Sequence, residues 1–463
     1  MKVTLHGAAR TVTGSAYHVQ VDSSNILVDF GMVQGRLKPE ECNCMPPGLN
    51  AGNLDAVLLT HGHLDHCGRL PLLAMAGFEG PVFGTPATLE VAALILRDSA
   101  KVQAYDIERV NRRRVRAGQK PTRPLYDQDD VARVIAMFKP VEYNQPLEVA
   151  SGISARYVDA GHLLGSTSIE LTLRENDRRH VAVFSGDIGH LGAPLLKDPV
   201  LFQVADTVFM ESTYGDREHR SLAETLAEGQ EIIRDAVKKR GKILVPSFAV
   251  GRTQQLLYHL AALFHSGRVA PFPVYLDSPM AIEATRIYMR HPELYDEEAT
   301  ELHESGQLAR DFSGVHTCQT ADESRALNDL EGPILIMAGA GMCNAGRILH
   351  HLRNNLWRKE TSVVIVGYQA EGTLGRQLVE GSKKVSIFGE KIAVKATVHT
   401  LGGFSAHAGQ SELLDWLGTM AASRPRVILT HGEPRAQEPL AALIEQRFGL
   451  KPECPGIGDT VEL

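Results

Sequence analysis

The sequence predicts an α/β fold in which a block of alternating strands and helices interrupts a strand-rich region. Three observations carry this. Short apolar runs with β-branched content, each bounded by turn residues, fill roughly the first two hundred residues. From about Glu211, strand-like runs alternate with longer helix-like ones, the pattern of a parallel sheet with helices on both faces. The last eighty or so residues resume the strand-rich style of the first two hundred. These changes divide the chain into 1–210, an inserted block 211–382, and a C-terminal part 383–463 that resumes the first domain.

In the first part, His18–Val21, Asn25–Asp29, Ala56–Thr60, Ala155–Val158, Ser168–Leu173 and Val181–Phe184 read as strands. In the insertion, Ile243–Val245, Val274–Leu276, Ile334–Met337 and Val363–Val366 each precede a helical pattern. Lys395–Leu401 and Val427–Thr430 read as strands of the last part, with a helix between them.

The bulk properties narrow the class. The chain has 463 residues, a 43% hydrophobic and 22% charged composition, and a net charge of −7. These are values of an ordinary globular protein, and the net charge argues against one that coats nucleic acid non-specifically, although overall charge can hide a local patch. One local exception stands out. Arg109, Arg112, Arg113, Arg114, Arg116, Lys120 and Arg123 fall between Glu108 and Pro124 with a single acid, either a solvated helix face or an arm for a polyanion. Neither a secretory leader nor an apolar run of membrane-spanning length is visible, and six unevenly spaced cysteines make no disulfide framework. The expected location is the cytoplasm, with no membrane partner.

The chemistry concentrates in Thr60-His61-Gly62-His63-Leu64-Asp65-His66, on a strand-to-helix loop. Positions two apart in extended chain point the same way, so His61 and His63 suit one ion. Asp65 and His66 turn away with the start of the helix and reach a second. Imidazole and carboxylate donors suit zinc, and manganese and iron are alternatives. Other ligand-type residues also end strands: Asp29, His162 in Gly-His-Leu-Leu-Gly, Asp187 in Ser-Gly-Asp-Ile-Gly, and His431 in Thr-His-Gly-Glu. Glycines flank His162 and Asp187, where backbone must approach a bound ion. Gly251-Arg252, Gly346-Arg347 and Gly375-Arg376 lie where helices of the insertion begin, a pattern suited to phosphate. Gly339-Ala340-Gly341 lacks the third glycine of a dinucleotide loop, since Asn344 stands there, so a nicotinamide or flavin cofactor is not expected.

With these motifs in order, the chain resembles the β-CASP group of the metallo-β-lactamase superfamily, which includes RNA-cleaving enzymes of messenger 3′-end processing. Asp29, the His61/His63/Asp65/His66 cluster, His162 and Asp187 match the four core motifs of the superfamily. Glu211 in Glu-Ser-Thr-Tyr-Gly, His407 in Phe-Ser-Ala-His-Ala and His431 match the three special to the β-CASP branch. A histidine at the last position resembles the RNA-directed members, and the lack of a preceding RNA-binding domain resembles the shorter bacterial type.

The resemblance implies an αββα sandwich with an inserted β-CASP domain that sits over the metals and forms an interdomain cleft. It implies two zinc ions, or manganese in their place: His61, His63 and His162 on one, Asp65, His66 and His431 on the other, and Asp187 bridging. Asp29 would orient a ligand rather than bind metal. A hydroxide held by both metals would attack the phosphorus of single-stranded RNA, with Asp65 in the catalytic set. His407, oriented by Glu211, would give the leaving 3′-oxygen its proton. The expected products are a 5′-phosphate and a 3′-hydroxyl, from an endonuclease with a 5′-to-3′ exonuclease as a further expectation. Ser247, Arg252, Arg347, Arg376 and Ser405 are candidate contacts to RNA phosphates, and a homodimer is expected from relatives. The competing readings are a small-molecule ester or thioester hydrolase on the same fold, a single-stranded DNA nuclease, and a non-catalytic RNA-binding scaffold.

Overall fold

A computed structural model describes residues 1–34, 42–369 and 372–463. The chain forms two compact units. One comprises Met1–Ala193, Lys197–Glu218 and His407–Leu463, and the other Pro194–Leu196 and His219–Ala406.

The first unit contains two mixed sheets. One has seven strands in the spatial order Thr460–Glu462, Lys2–Gly7, Ala16–Val21, Ser24–Val28, Ala56–Leu58, Val82–Gly84, Phe138–Pro140. The other has six, ordered Arg426–Thr430, Thr207–Glu211, Arg178–Phe184, Thr167–Glu175, Ile153–Asp159, Leu147–Ala150. Alternate residues of each strand face opposite sides, and both sides are apolar here. Val19, Ile26, Val28 and Leu58 of the first sheet pack with Tyr157, Ile169, Leu171 and Phe184 of the second. On the outer side of the first sheet, Leu27, Val57 and Leu59 meet Leu70, Leu73 and Leu96 from helices. On the outer side of the second, Val183, Val208 and Leu429 meet Leu413, Trp416, Leu417 and Leu440. The result is a four-layer αββα sandwich, because each sheet is covered on both faces.

The second unit is built on a six-stranded sheet that is parallel throughout, in the order His316–Thr317, Val274–Leu276, Ile334–Ala338, Lys242–Pro246, Ser362–Ile365, Thr397–Thr400. Leu244, Ile336, Val363 and Ile365 pack on Ile348, Leu352, Leu356 and Leu378. Pairing of Thr397–Thr400 with Ser362–Ile365 keeps the chain in this unit until Ala406. Among the described residues, no helix is long and apolar enough to cross a membrane.

Candidate metal centre

Strand ends place the donors, all within the first unit. The strand Ser24–Val28 stops at Asp29, and the strand Arg426–Thr430 stops at His431. Both residues take up left-handed backbone, with φ 57° and 47°, a conformation that costs non-glycine residues energy and turns each side chain out of its strand direction. Ala56–Leu58 leads into the loop His61–His63, and Asp65 and His66 open the short helix Leu64–Cys67. This loop is packed without slack. A Cβ on Gly62 would meet Val91 Cγ1 at 2.6 Å, and one on Gly31 would meet the Asp65 carbonyl oxygen at 1.6 Å. Asp187 follows Arg178–Phe184, behind a Gly186 whose φ is 57°.

Two donor clusters result. In the first, His63 Nδ1 lies 3.1 Å from His61 Nε2 and 3.3 Å from His162 Nε2, and Asp187 Oδ2 lies 3.5 Å and 3.6 Å from those two Nε2 atoms. In the second, His431 Nε2 lies 3.2 Å from His66 Nε2 and 3.6 Å from Asp65 Oδ2. The other oxygen of Asp187, Oδ1, is 3.3 Å from His66 Nε2 and makes no hydrogen bond, although it is buried. Donors placed about 2.0–2.2 Å from a tetrahedral zinc lie about 3.3–3.6 Å from each other, and the separations of 3.1–3.6 Å in the two clusters come close to that. Asp187 offers one oxygen to each, and a cation is the natural partner of its orphaned one.

Hydrogen bonds behind the clusters decide which ring nitrogen faces inward. Asp29 is fully buried and accepts from the Thr60 N–H (2.8 Å), the Thr60 hydroxyl (2.9 Å) and His66 Nδ1 (2.7 Å). With the proton of His66 on Nδ1, the Nε2 lone pair points into the site. The Thr60 oxygen also lies 3.1 Å from His61 Nδ1. Thr213 does the same for His431: its hydroxyl donates to the His431 carbonyl (3.0 Å), and its oxygen is left to accept from Nδ1 at 3.2 Å. Neither threonine was among the sequence candidates, although each lies within a motif: Thr60 directly precedes His61, and Thr213 is the threonine of Glu-Ser-Thr-Tyr-Gly.

The electrostatics follow the geometry. Burial, together with the neighbouring His66, holds His61 well below the ordinary histidine range, and burial lowers His63 as well. Burial opposes charge on His66 too, but Asp187 and Asp29 outweigh it and raise that histidine well above the ordinary value. Burial likewise works against ionisation of Asp65, yet the neighbouring His431 and His66 bring it down to about 2. Both carboxylates of the centre are therefore anionic at neutral pH, as metal donors must be.

Next to the centre stands a histidine–carboxylate pair. Glu211, fully buried at the end of Thr207–Glu211, accepts the Ile188 N–H at 2.6 Å and meets His407 Nδ1 at 3.1 Å. Backbone bridging between His407 and Gly189 fixes the approach. His407 Nε2 points toward Asp187 Oδ2, 3.9 Å away. The side chains of His407 and Asp65 keep 22% and 20% exposure and His63 is half-buried, whereas His61, His66, His162 and Asp187 are buried.

The five phosphate candidates all lie in the second unit. Ser247 and Arg252 flank the loop leaving the strand Lys242–Pro246, and Ser247 is buried, with its hydroxyl 3.1 Å from that of Thr253. Arg347 is committed to Asp277 (2.7 Å) and to the carbonyls of Cys318 and Gln319 (2.9 and 2.7 Å), which makes it a brace of the sheet edge. Arg376 holds Glu380 at 2.7 Å, and Ser405 precedes His407 by two residues.

Comparison with known proteins agrees with this geometry. Residues 9–228 match the metallo-beta-lactamase superfamily, 253–378 the Beta-Casp domain, and 391–455 the Zn-dependent metallo-hydrolase RNA specificity domain. The chain is 40% identical to Ribonuclease TTHA0252 of Thermus thermophilus, over 96% of this chain and 95% of that one. It is 32% identical to Transcription termination factor FttA of Pyrococcus horikoshii, over 100% of this chain and 71% of that one. A crystal structure of a protein of unknown function from Enterococcus faecalis shares the fold, with a TM-score of 0.54 at 14% identity, covering 100% of this chain and 99% of that one. Together with the twin donor clusters, these matches show that the chain belongs to the β-CASP group of the metallo-β-lactamase superfamily, a family of zinc-dependent enzymes, and is a metal-dependent hydrolase.

Proposed function

We propose that this protein is a zinc-dependent ribonuclease that hydrolyses phosphodiester bonds of single-stranded RNA and leaves a 5′-phosphate and a 3′-hydroxyl. The observation that carries the reading is the Glu211–His407 pair beside two donor clusters that share Asp187. A small-ester hydrolase has no need of a proton donor held against a fully buried carboxylate. The RNA specificity domain matched by residues 391–455, and a relative named a ribonuclease, point to the same substrate.

His61, His63, Asp187 and His162 would hold one zinc, and Asp65, His66 and His431 the other, with Asp187 reaching both. Bound there, the two ions supply Lewis-acid polarisation of a phosphoryl oxygen and make water acidic enough to act at neutral pH. The protein's own groups do the rest. Asp29, Thr60 and Thr213 keep the Nε2 lone pairs of His66 and His431 facing inward. Before metal binds, burial works against charge on His407, but the Glu211 and Asp187 carboxylates raise it to about 9, and Glu211, held against Nδ1, favours the protonated ring. The Nε2 proton of that ring goes to the departing 3′-oxygen. Glu211 holds Nδ1 and so keeps Nε2 directed at the exposed side of the centre. In the second unit, Ser247, Arg252 and Ser405 are the residues we assign to RNA phosphates, since ligands of parallel sheets bind at the carboxyl ends of the strands.

The test is cleavage of an internally structured RNA labelled at one end, comparing zinc-loaded wild type with His407→Ala. Loss of a proton donor is expected to slow cleavage about 10²–10⁴-fold while both zinc ions stay bound. The fragment pattern separates internal cutting from 5′-to-3′ digestion, and sensitivity of the new ends to phosphatase identifies which end carries phosphate. A two-zinc wild type that cleaves thioesters but not RNA would refute the proposal.

A further inference from the structure

The helix Pro86–Arg116, 31 residues long, has two halves of different character. Its first half is core: Ala87, Thr88, Leu89, Val91, Ala92, Leu96 and Ala100 are buried, and Val91 rests on Gly62 of the metal loop. Beyond Ala100 none of its residues is buried. Four more turns of helix therefore extend past the hydrophobic core, where packing no longer supports them. What supports them is polar. Gln103 accepts the Leu125 N–H, Asn111 exchanges two hydrogen bonds with Thr122, and Arg114 donates to the Lys120 carbonyl. These residues form one face, and the returning segment 120–125 lies along it.

The opposite face is thereby turned outward, and its composition is one-sided. It carries Val102, Tyr105, Arg109, Arg112, Arg113 and Arg116, with Tyr105 65% exposed. Arg112 has a loose ion pair with Glu108 at 3.7 Å. Among the described residues the guanidinium groups of Arg109, Arg113 and Arg116 make neither an ion pair nor a hydrogen bond, and only backbone bonds of the helix involve these residues. Between Lys101 and Arg123 there are eight basic residues and two acids, in a chain whose net charge is −7. Arginines left unpaired in a chain with surplus carboxylates are not explained by internal electrostatics.

We propose that this outward face is an anchoring surface for the sugar-phosphate backbone of single-stranded RNA, at a distance from the bond being cut. The proposal rests on the ribonuclease reading above. Rigid helical spacing of guanidinium groups suits a polyanion with regular charge, and Tyr105 offers a face on which a base can stack. An anionic membrane fits less well, because the face holds only Val102 and Tyr105 as apolar groups to bury. Its position predicts a length requirement. At 1.5 Å per residue, Arg109–Arg116 lie roughly 27–37 Å along the helix from Val91, hence from the metal loop. An RNA must span that reach to gain from the stripe, so short oligonucleotides should not sense it.

The test uses the zinc-loaded full chain and the variant Arg109→Gln/Arg113→Gln/Arg116→Gln, in which glutamine keeps helix propensity. RNA binding is followed by fluorescence anisotropy against salt concentration, with an RNA long enough to span the reach and with one of a few nucleotides, alongside KM and kcat on each. Removing three phosphate contacts should reduce the log–log salt slope for the long RNA by about 2, which is about 20-fold in relative affinity between 50 and 200 mM salt. Its KM should rise with kcat unchanged, and the short RNA should be unaffected in both proteins. An unchanged slope for the long RNA would overturn the proposal, and so would an equal loss for both lengths. An unchanged RNA slope with binding of the wild type to vesicles rich in anionic lipid would reassign the face to a membrane and overturn it as well. If the wild type binds RNA with the expected slope but cleaves none, it is the ribonuclease reading that fails.

Discussion

Replacing Asp29 by asparagine changes one heavy atom of a buried carboxylate, and the hydrogen bonds around that atom set the consequence. One oxygen of Asp29 accepts the Thr60 N–H at 2.8 Å, and the other accepts His66 Nδ1 at 2.7 Å. A carboxamide has a single acceptor oxygen. If it keeps the Thr60 backbone, its NH2 group faces His66 Nδ1. That nitrogen must then accept, the proton moves to Nε2, and the lone pair directed into the second donor cluster is lost. Misorienting a metal-binding histidine this way typically lowers metal affinity about 10–100-fold, or about 1.4–2.7 kcal/mol. Loss of a hydrogen bond to a charged group, about 1.5–3 kcal/mol, agrees with that range. The loss should be confined to the Asp65/His66/His431 cluster, because the ring whose proton Asp29 holds belongs to that cluster. Zinc content and competition with a graded chelator should show one tight and one weakened site in Asp29→Asn, against two tight sites in the wild type. Two unaltered affinities, or an equal loss at both sites, would refute the tautomer argument.

Zinc uptake should release protons, and the two clusters should differ in how many. His66 and His431 are raised above the ordinary histidine value, so the second cluster holds protons more tightly than free imidazoles do, and zinc must displace them. His61 and His63 are lowered and enter the first cluster already neutral. As pH falls below neutrality the second site should therefore weaken first, which calorimetric titration in buffers of different ionisation enthalpy reads directly; equal proton release at both steps would contradict it. Gly31→Ala should destabilise the chain by about 3 kcal/mol or more, since its Cβ would sit 1.6 Å from a backbone oxygen of the metal loop and no side chain can move aside. Chemical denaturation measures this, and a variant within 1 kcal/mol of wild type, roughly the low end of overpacking costs, would show that the loop yields.

Much of the centre was legible in the chain because its donors are strand-terminal residues. Apolar runs mark the strands, and Asp29, His61, Asp187 and His431 fall within three residues of their ends, so local patterning alone points to one edge of a layered fold. The alternation of strands and helices after Glu211 likewise marks a parallel sheet, and four of its six strands, Lys242–Pro246, Val274–Leu276, Ile334–Ala338 and Ser362–Ile365, are legible in this way. Three things depended on contacts remote in sequence. Thr397–Thr400 reads as a strand in isolation, but only its pairing with Ser362–Ile365 assigns it to the second unit. Arg347 follows a glycine at the start of a helix, as a phosphate-binding residue would, yet Asp277, seventy residues earlier, claims it. The bracing roles of Thr60 and Thr213 belong to single hydroxyls placed opposite ring nitrogens, and threonine is too common in strands and loops to announce them.

The sequence by itself determined which atoms are available to hold metal and in what order they arrive, since donor chemistry belongs to residue type and spacing. Tertiary structure decided which donors share an ion, which nitrogen each histidine presents, and that Asp187 offers an oxygen to each cluster. Those are matters of distance between strand ends separated by up to 370 residues (His61 to His431), and only the packing of the two sheets sets that distance.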